Sequence, residues 1–300
     1  MFLSKRKIKK YITDTISAKL DIQLLAQGRL MSWNIIRRID EIETLREAEF
    51  RIFSQFGDDG IIQYLVNKLD IEHKIFVEFG VQSYVEANTR FLLLNDNWTG
   101  LVMDGSSRNV KKIVNDPYYW RHDLIAKEAF ITKENINDLL SQYNFPKNIG
   151  LLHIDIDGND YWVWESINVI EPIIVIMEYN ALFGPERAIT VPYRKDFDRF
   201  KAHYSGLYFG ASLRALNILA ENRGYQFIGC NTAGNNAYFI KKENLGGIKT
   251  VTIENGYVKS KFRQSRDKNG NLMYIRGNDE LSLLEGLPVM NIINNKIETF

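Results

Sequence analysis

The sequence predicts an α/β fold built on a doubly wound, mostly parallel sheet, and three observations carry that expectation. Short apolar runs alternate with helical patterns from about residue 74 to residue 180, the order that lays helices on both faces of a sheet. The runs are apolar throughout rather than alternating, as strands covered on both faces are. Each ends in acid: KIFVEFG at Glu78, TGLVMDGS at Asp104, LLHIDIDGND at Asp155, Asp157 and Asp160, and EPIIVIMEYN at Glu178. Strand carboxyl ends form the ligand-binding edge of an open α/β sheet. Acids gathered there are candidates for chemistry.

Composition sets the outer bounds. Three hundred residues, 45% hydrophobic and 25% charged, suit one large domain with additions. A formal net charge of +1 argues against a dedicated nucleic-acid binder, whose footprint is a basic excess. The single cysteine, Cys230, excludes an internal disulfide framework and a multi-thiolate metal site; a reducing, cytoplasmic setting is the simplest account. No apolar run reaches the length that spans a bilayer. The basic cluster Lys5, Arg6, Lys7, Lys9 and Lys10 is followed by Thr13, Asp14, Thr15 and Ser17, not by the apolar stretch of a signal peptide. It reads as a solvated helix start, with weak association with an anionic membrane surface left open.

Along the chain, Ile8, Ile12, Ile16 and Leu20, then Trp33, Ile36 and Ile39, predict an N-terminal helical extension over residues 1–50, broken at Gly28. It is expected to serve as a dimerisation element or a lid. A helix capped by Asp58 or Asp59 follows, with Ile61, Ile62, Leu65, Val66 and Leu69 on one face. Asn88 is placed as a cap for a helix through residues 91–94. Thr132 caps another, whose inner face is Ile136, Leu139, Leu140 and Tyr143. After the Glu178 strand, residues 181–193 form a glycine- and proline-punctuated loop, read as a lid or a source of substrate contacts. Phe197, Phe200 and Tyr204 suggest one face of a helix. ASLRALNILAENRG is a helix stopped at Gly224, and YQFIGCN with NNAYFIKK is a closing antiparallel hairpin. Residues 246–300, with turns at 254–256 and 268–271, read as a small β-rich appendage to a Rossmann-like domain over 51–245.

The strand ends suggest a cofactor. Glu78 and Gly80 close the first strand, and Asp104 closes the second, twenty-four residues beyond Gly80. A glycine that lets backbone approach a ligand, with a second-strand acid on ribose hydroxyls, suits a nucleoside lying across the edge. The loop GVQSYVEAN lacks the glycines that admit a pyrophosphate. An adenosine cofactor with a positive centre and no phosphates fits better, which points to S-adenosylmethionine; Glu78 would favour its sulfonium or ammonium. Val81, Gly105 and Ser106 belong to the same cofactor edge. Alternatively Glu78 only braces the loop.

The layout VEFGV, GLVMDGS, LLHIDIDGND and IIVIMEYN resembles the FkbM-like group of class I S-adenosylmethionine-dependent methyltransferases, with FRIFSQFGDDGII, FGPERAITVPY and GNNAYFIKK similar to a bacterial branch near it. The likeness covers roughly residues 50–242. It implies a class I methyltransferase sheet and methylation of a hydroxyl on a sugar, a surface-glycan precursor or another small metabolite. The family's second loop glycine is replaced near Tyr84.

Methyl transfer to a hydroxyl needs a base or a metal to take up the proton. Two arrangements are open. In one, Asp155 or Asp157 is the base, with His203 or His122 as a helper. In the other, Asp155, Glu178 and Asn180 form an all-oxygen Mg²⁺ site. Asp160 reads as a helix cap, His153 as a core histidine, and Trp162 and Trp164 as core. Asn235 and Asn236 read as turn residues, while Tyr193, Tyr204 and Arg187 are candidates for substrate contact. Two other functions remain: a nucleotide-dependent sugar-modifying enzyme, and a non-catalytic scaffold acting through its helical arm.

Overall fold

The computed structural model describes residues 5–300, with side chains from Lys19 onward. The side chains of the basic cluster at 5–10 and of Ile8, Ile12 and Ile16 lie outside the described residues. The main sheet has seven strands: β1 (Ile75–Phe79), β2 (Thr99–Asp104), β3 (Leu124–Glu128), β4 (Leu151–Ile154), β5 (Ile174–Glu178), β7 (Tyr225–Cys230) and β8 (Asn236–Lys241). Their order is β3-β2-β1-β4-β5-β8-β7. The first five run parallel, and β8 lies antiparallel between β5 and β7. This is the doubly wound, Rossmann-like sheet of the class I methyltransferase type that the sequence predicts. Strand order reverses between β1 and β4, and a crevice opens there at the carboxyl ends.

The helices are α1 (Lys5–Arg37), α2 (Leu45–Ala48), α3 (Asp58–Lys68), α4 (Arg90–Asp96), α5 (Ser107–Val114), α6 (Ile136–Ser141), α7 (Asp160–Ser166), α8 (Arg199–Ala202), α9 (Leu213–Asn222), α10 (Ile253–Gly256) and α11 (Asn278–Ser282). Strand alternation divides the core in two. Val77, Phe79, Leu152, Ile154 and Val175 pack with Ile136, Leu140, Trp164 and Leu216 of α6, α7 and α9. Phe76, Val102, Leu151, Ile174 and Tyr238 pack with Ile61, Leu65, Phe91 and Leu92 of α3 and α4. A second sheet, β10 (Lys296–Thr299), β9 (Pro288–Asn291) and β6 (Ile189–Thr190), is antiparallel.

That small sheet revises the reading of the 181–193 loop. Its β6 pairs with β9 of the tail, and Phe183, Ile189 and Val191 join Phe197, Phe209, Leu284 and Val289 in a third core. The loop is a packed wall rather than an open lid. Arg187, expected near substrate, donates instead to Glu298 and to the Thr299 carbonyl.

Other local expectations change for identifiable reasons. Helix α1 runs unbroken through Gly28. A Cβ there would collide with the Phe91 ring and approach Ile52 Cγ1 to 3.0 Å, so the glycine serves close packing on α4, not a break. Asp58 and Asp59 sit inside α3 rather than before it. Asp59 Oδ2 accepts the backbone N–H groups of Ile52, Phe53 and Ser54 at 2.7–2.8 Å. Buried Asp58 accepts from Asn231, Asn236 and the Tyr238 hydroxyl, joining α3 to the closing hairpin. Phe197, Phe200 and Tyr204 do not share a helix face, because α8 is a single turn and Phe200 is 51% exposed. Residues 254–256 lie in α10 instead of a hairpin turn. The 268–271 turn does form, bridged by Arg266 and Leu272. Thr132, expected as the cap of α6, lies one turn earlier: Asn135 is the N-cap, and Thr132 exchanges hydrogen bonds with it.

Asp58→Ala would leave the buried Tyr238 hydroxyl and Asn236 amide without that acceptor, at about 1–3 kcal/mol each. Urea unfolding should show a loss of at least about 2 kcal/mol. A loss below about 0.5 kcal/mol, typical of a plain surface change, would contradict the bridging role.

Candidate active site

The site begins with one backbone contact. Gly80, just past β1, has φ +76°, and a Cβ there would overlap the carbonyl oxygen of Asp155 just past β4. Only glycine permits this approach. The β1 and β4 loops therefore meet backbone to backbone where strand order reverses.

Behind the contact lies a buried polar pair. Glu78 and His153 are register partners on β1 and β4, and their Oε1 and Nδ1 lie 2.9 Å apart. The Glu78 carboxylate also accepts the N–H groups of Asn88 and Thr89 and the Thr89 hydroxyl. It thus caps the start of α4, the place expected for Asn88. Asn88 instead contacts His153 Nε2 through its amide, at 3.1 Å. Burial would raise the Glu78 pKa, but the His153 hydrogen bond and charge outweigh it and hold the carboxyl below its usual range. His153 is a satisfied core histidine, as its strand position suggests. The carboxylate of Glu78 is committed to protein groups, so what it offers a ligand is charge.

Two clefts flank the Gly80–Asp155 contact. The first is a cavity of about 180 Å³ open to solvent; Gly80, Gln82, Asp104, Gly105, Phe130, Asp155 and Asp157 line it. Asp104 accepts Gln82 N–H at 2.7 Å, Ser106 N–H at 2.8 Å and the Asn109 amide at 3.0 Å, which fixes its direction. Ser106 turns its N–H to Asp104 and is not in the lining. Phe130 is 57% exposed, an apolar ring beside the strand-end acid; the sequence reading missed it, and a lone Phe after a strand carries no distinguishing signal. The second cleft is polar, lined by Gln55, Glu78, Val81, Asn88, His153, Asp155, Asn235 and Asn236.

A third cleft opens beyond Glu178. Its lining joins Glu178, Asn180, Phe209 and Asn235 to Ser260, Phe262, Gln264 and Glu280 of the tail. Tyr179 donates its hydroxyl to the Val258 carbonyl and Tyr257 donates to that of Ala181, binding the tail to the end of β5. The tail therefore forms one wall of the site, a role its sequence gave no sign of.

Asp155, Asp157 and Glu178 converge where these clefts meet, with one oxygen of each within 4.8 Å of the others. Burial, then the Asp157 charge, pushes Asp155 up to about 7. Burial, then the charges of Asp155 and Asp157, pushes Glu178 well above the carboxylate range. Glu178 Oε2 is buried with no partner. Asp157 has φ +57°, a left-handed conformation Asp tolerates, and is ion-paired with Arg199. Arg199 also lies over the Phe209 ring and donates to the Gly206 carbonyl; it is the cation that sequence reasoning overlooked.

Other candidates are held elsewhere. Asn180 is not the third oxygen ligand, because its amide donates to the Leu207 and Phe209 carbonyls and its oxygen accepts Leu182 N–H. His203 Nδ1 bonds Ser205 Oγ at 2.8 Å, and the residue lines none of the three clefts. His122 precedes parallel β3, at the opposite edge of the sheet. Tyr193 donates to Glu134. Asp160 is not the helix cap expected of it: it is the first residue of α7, after N-cap Asn159, and its buried carboxylate accepts Ile156 and Gly158 N–H of the preceding loop. Asn231, which the sequence did not single out, accepts the N–H groups of Gly234, Asn235 and Asn236 and shapes their turn.

No protein-family model and no curated protein sequence matches this chain. Among solved structures, a SAM dependent methyltransferase from Aquifex aeolicus aligns over 69% of this chain and 98% of its own, at 8% identity and TM-score 0.38. The O-methyltransferase from Bacillus cereus, in complex with SAH, aligns over 69% and 89%, at 8% identity and TM-score 0.40. Such likenesses carry no functional argument. The fold class rests on the strand order and directions given above.

A raised acid binds its proton more tightly in the folded than in the unfolded chain. Its contribution to stability is full below the ordinary carboxylate range, near pH 4, and is lost as pH rises through about 7. Asp155→Asn removes this penalty. From about pH 4 to 8 the wild-type Tm should fall more than that of the variant. Asp59 and Asp160, both held up to about 6 by burial, remain in both proteins. Parallel Tm profiles would contradict the burial of an ionisable Asp155.

Proposed function

We propose that this protein is an S-adenosylmethionine-dependent methyltransferase acting on a hydroxyl of a sugar or related polyhydroxylated molecule. The observation that carries the reading is the convergence of Gly80, Asp104 and Asp155 on one cleft at the switch point of the sheet. The donor set suits an adenosine: Asp104 for ribose hydroxyls, the open Phe130 ring for the base, and glycine backbone at Gly80 and Gly105. The polar second cleft, with Glu78 behind it and the unpartnered, buried Asn236 Oδ1 in its lining, suits an ammonium-bearing end. When bound, the cofactor supplies an electrophilic methyl group on a sulfonium.

The chain's own residues manage the proton. Burial and the neighbouring acids push Glu178 well above the carboxylate range, while Asp155, held up to about 7, is poised to accept a proton from an acceptor hydroxyl, as a base matched to the working pH does. Arg199 holds Asp157 and sets an opposing charge against the acids. The third cleft is only about 30 Å³, and its hydrogen-bonding side chains beside Phe209 and Phe262 would hold one polar group of an acceptor lying over its mouth. A second reading is favoured by the unpartnered Glu178 Oε2: Asp155, Asp157 and Glu178 would hold a hard divalent cation such as Mg²⁺ through oxygen. The cation would then acidify the acceptor hydroxyl.

Titration calorimetry with S-adenosylhomocysteine tests the cofactor site. Binding should weaken about tenfold or more in Asp104→Ala, the loss of roughly 1.5–3 kcal/mol of charged hydrogen bonding. Unchanged affinity would rule out the ribose placement. Asp155→Asn should keep cofactor affinity and lose about 10²–10⁴-fold in methyl transfer. Full activity in that variant would remove Asp155 from proton transfer. Loss of activity in EDTA, restored by Mg²⁺, would select the cation reading; indifference to EDTA selects the base.

A further inference from the structure

Helix α1 presents an outer face that nothing in the described structure covers. At 3.6 residues per turn, Leu24, Leu25, Gly28, Ser32 and Ile35 share the inner face. Leu24, Leu25 and Ile35 pack on the α3–α4 side, Ser32 donates to Gln63, and Asp21 pairs with Arg90. An arc of roughly 120° on the flank and outer side of the helix carries Ile22, Leu30, Trp33 and Ile36, exposed by 69, 68, 62 and 40%, with Asn95 and Asp96 at its edge. Lys19, Arg29 and Arg37 are interleaved with them and also exposed. Among residues 19–37 the only acid is Asp21, and it belongs to the inner face.

Charge selects the occupant. Residues 5–37 hold eight basic and two acidic side chains, whereas the whole chain has 38 Lys and Arg against 37 Asp and Glu. The basic excess of the protein is therefore concentrated in this one helix, and the rest is net acidic. A second copy of α1 laid against the first, in either direction, would oppose basic residues to basic residues. A nucleic acid would match the charge but leave Ile22, Leu30 and Ile36 without apolar contact. An interface between water and anionic lipid satisfies both features.

We propose that the outer face of α1 docks on an anionic lipid surface, with Ile22, Leu30, Trp33 and Ile36 entering the headgroup boundary. Tryptophan suits that depth, with its ring in the apolar zone and its N–H in the wet one. Lys19, Arg29 and Arg37 supply attraction to lipid phosphates. The association is peripheral: no helix among the described residues is long and apolar enough to cross a membrane.

Vesicle flotation of the full chain tests the proposal. Wild type should float with phosphatidylcholine vesicles containing phosphatidylglycerol and remain below with phosphatidylcholine alone. Leu30→Glu/Trp33→Glu and Lys19→Glu/Arg37→Glu should each cut the bound fraction at least tenfold while keeping the wild-type melting temperature. The proposal fails if wild type ignores the anionic vesicles, or if both variants float as it does. It also fails if light scattering finds a wild-type dimer that Leu30→Glu/Trp33→Glu makes monomeric, since a second copy would then own the face.

Discussion

Everything at the reactive edge depends on the approach of Gly80 to the Asp155 carbonyl, which leaves no room for a Cβ. That contact sets the distance between the β1 and β4 loops and so the shape of the clefts on either side. It is held from behind by the Glu78–His153 pair, whose other hydrogen bonds start α4, and from the side by Asp160, which clamps Ile156 and Gly158. Buried polar groups of this kind stabilise a geometry only when they are fully partnered. Here the partners come from successive loops, so the edge behaves as one unit.

The same edge concentrates negative charge that the structure only partly neutralises. Arg199 pairs with Asp157, but Asp155 and Glu178 are both left raised, by desolvation and by the charges of neighbouring acids. A structural carboxylate such as Asp58 is treated differently, accepting from Asn231, Asn236 and Tyr238, and Glu171 is held down to about 2 by Lys147 and Lys241. Strain and unmet polar demand that persist in one place are the mark of a functional site. The absence of compensation at Asp155 and Glu178, set against its completeness at Asp58, is the strongest reason to read those two acids as chemistry rather than scaffold.

The sheet was legible because its strands are continuous apolar runs ending in acid, a local pattern that needs no tertiary information. His153 and Trp164 were likewise legible from position alone. What escaped depended on long-range packing. Gly28 looks like a helix break until Phe91 is seen against it. The 181–193 loop looks like a lid until β6 is paired with a strand a hundred residues later. Arg199 reaches Asp157 from a one-turn helix with no periodicity to announce it, and the tail enters the third cleft through Ser260 and Phe262, which no motif marks. Asn180 carries the right chemistry for a ligand, and only its bonds to Leu207 and Phe209 show it to be a brace.

The most direct test of the central claim is a crystal structure with S-adenosylhomocysteine bound. The account predicts ribose hydroxyls on Asp104, the base against Phe130, and the sulfur directed toward Asp155 and Glu178. A ligand bound away from the Gly80–Asp155 contact, or one whose ribose leaves Asp104 untouched, would contradict it.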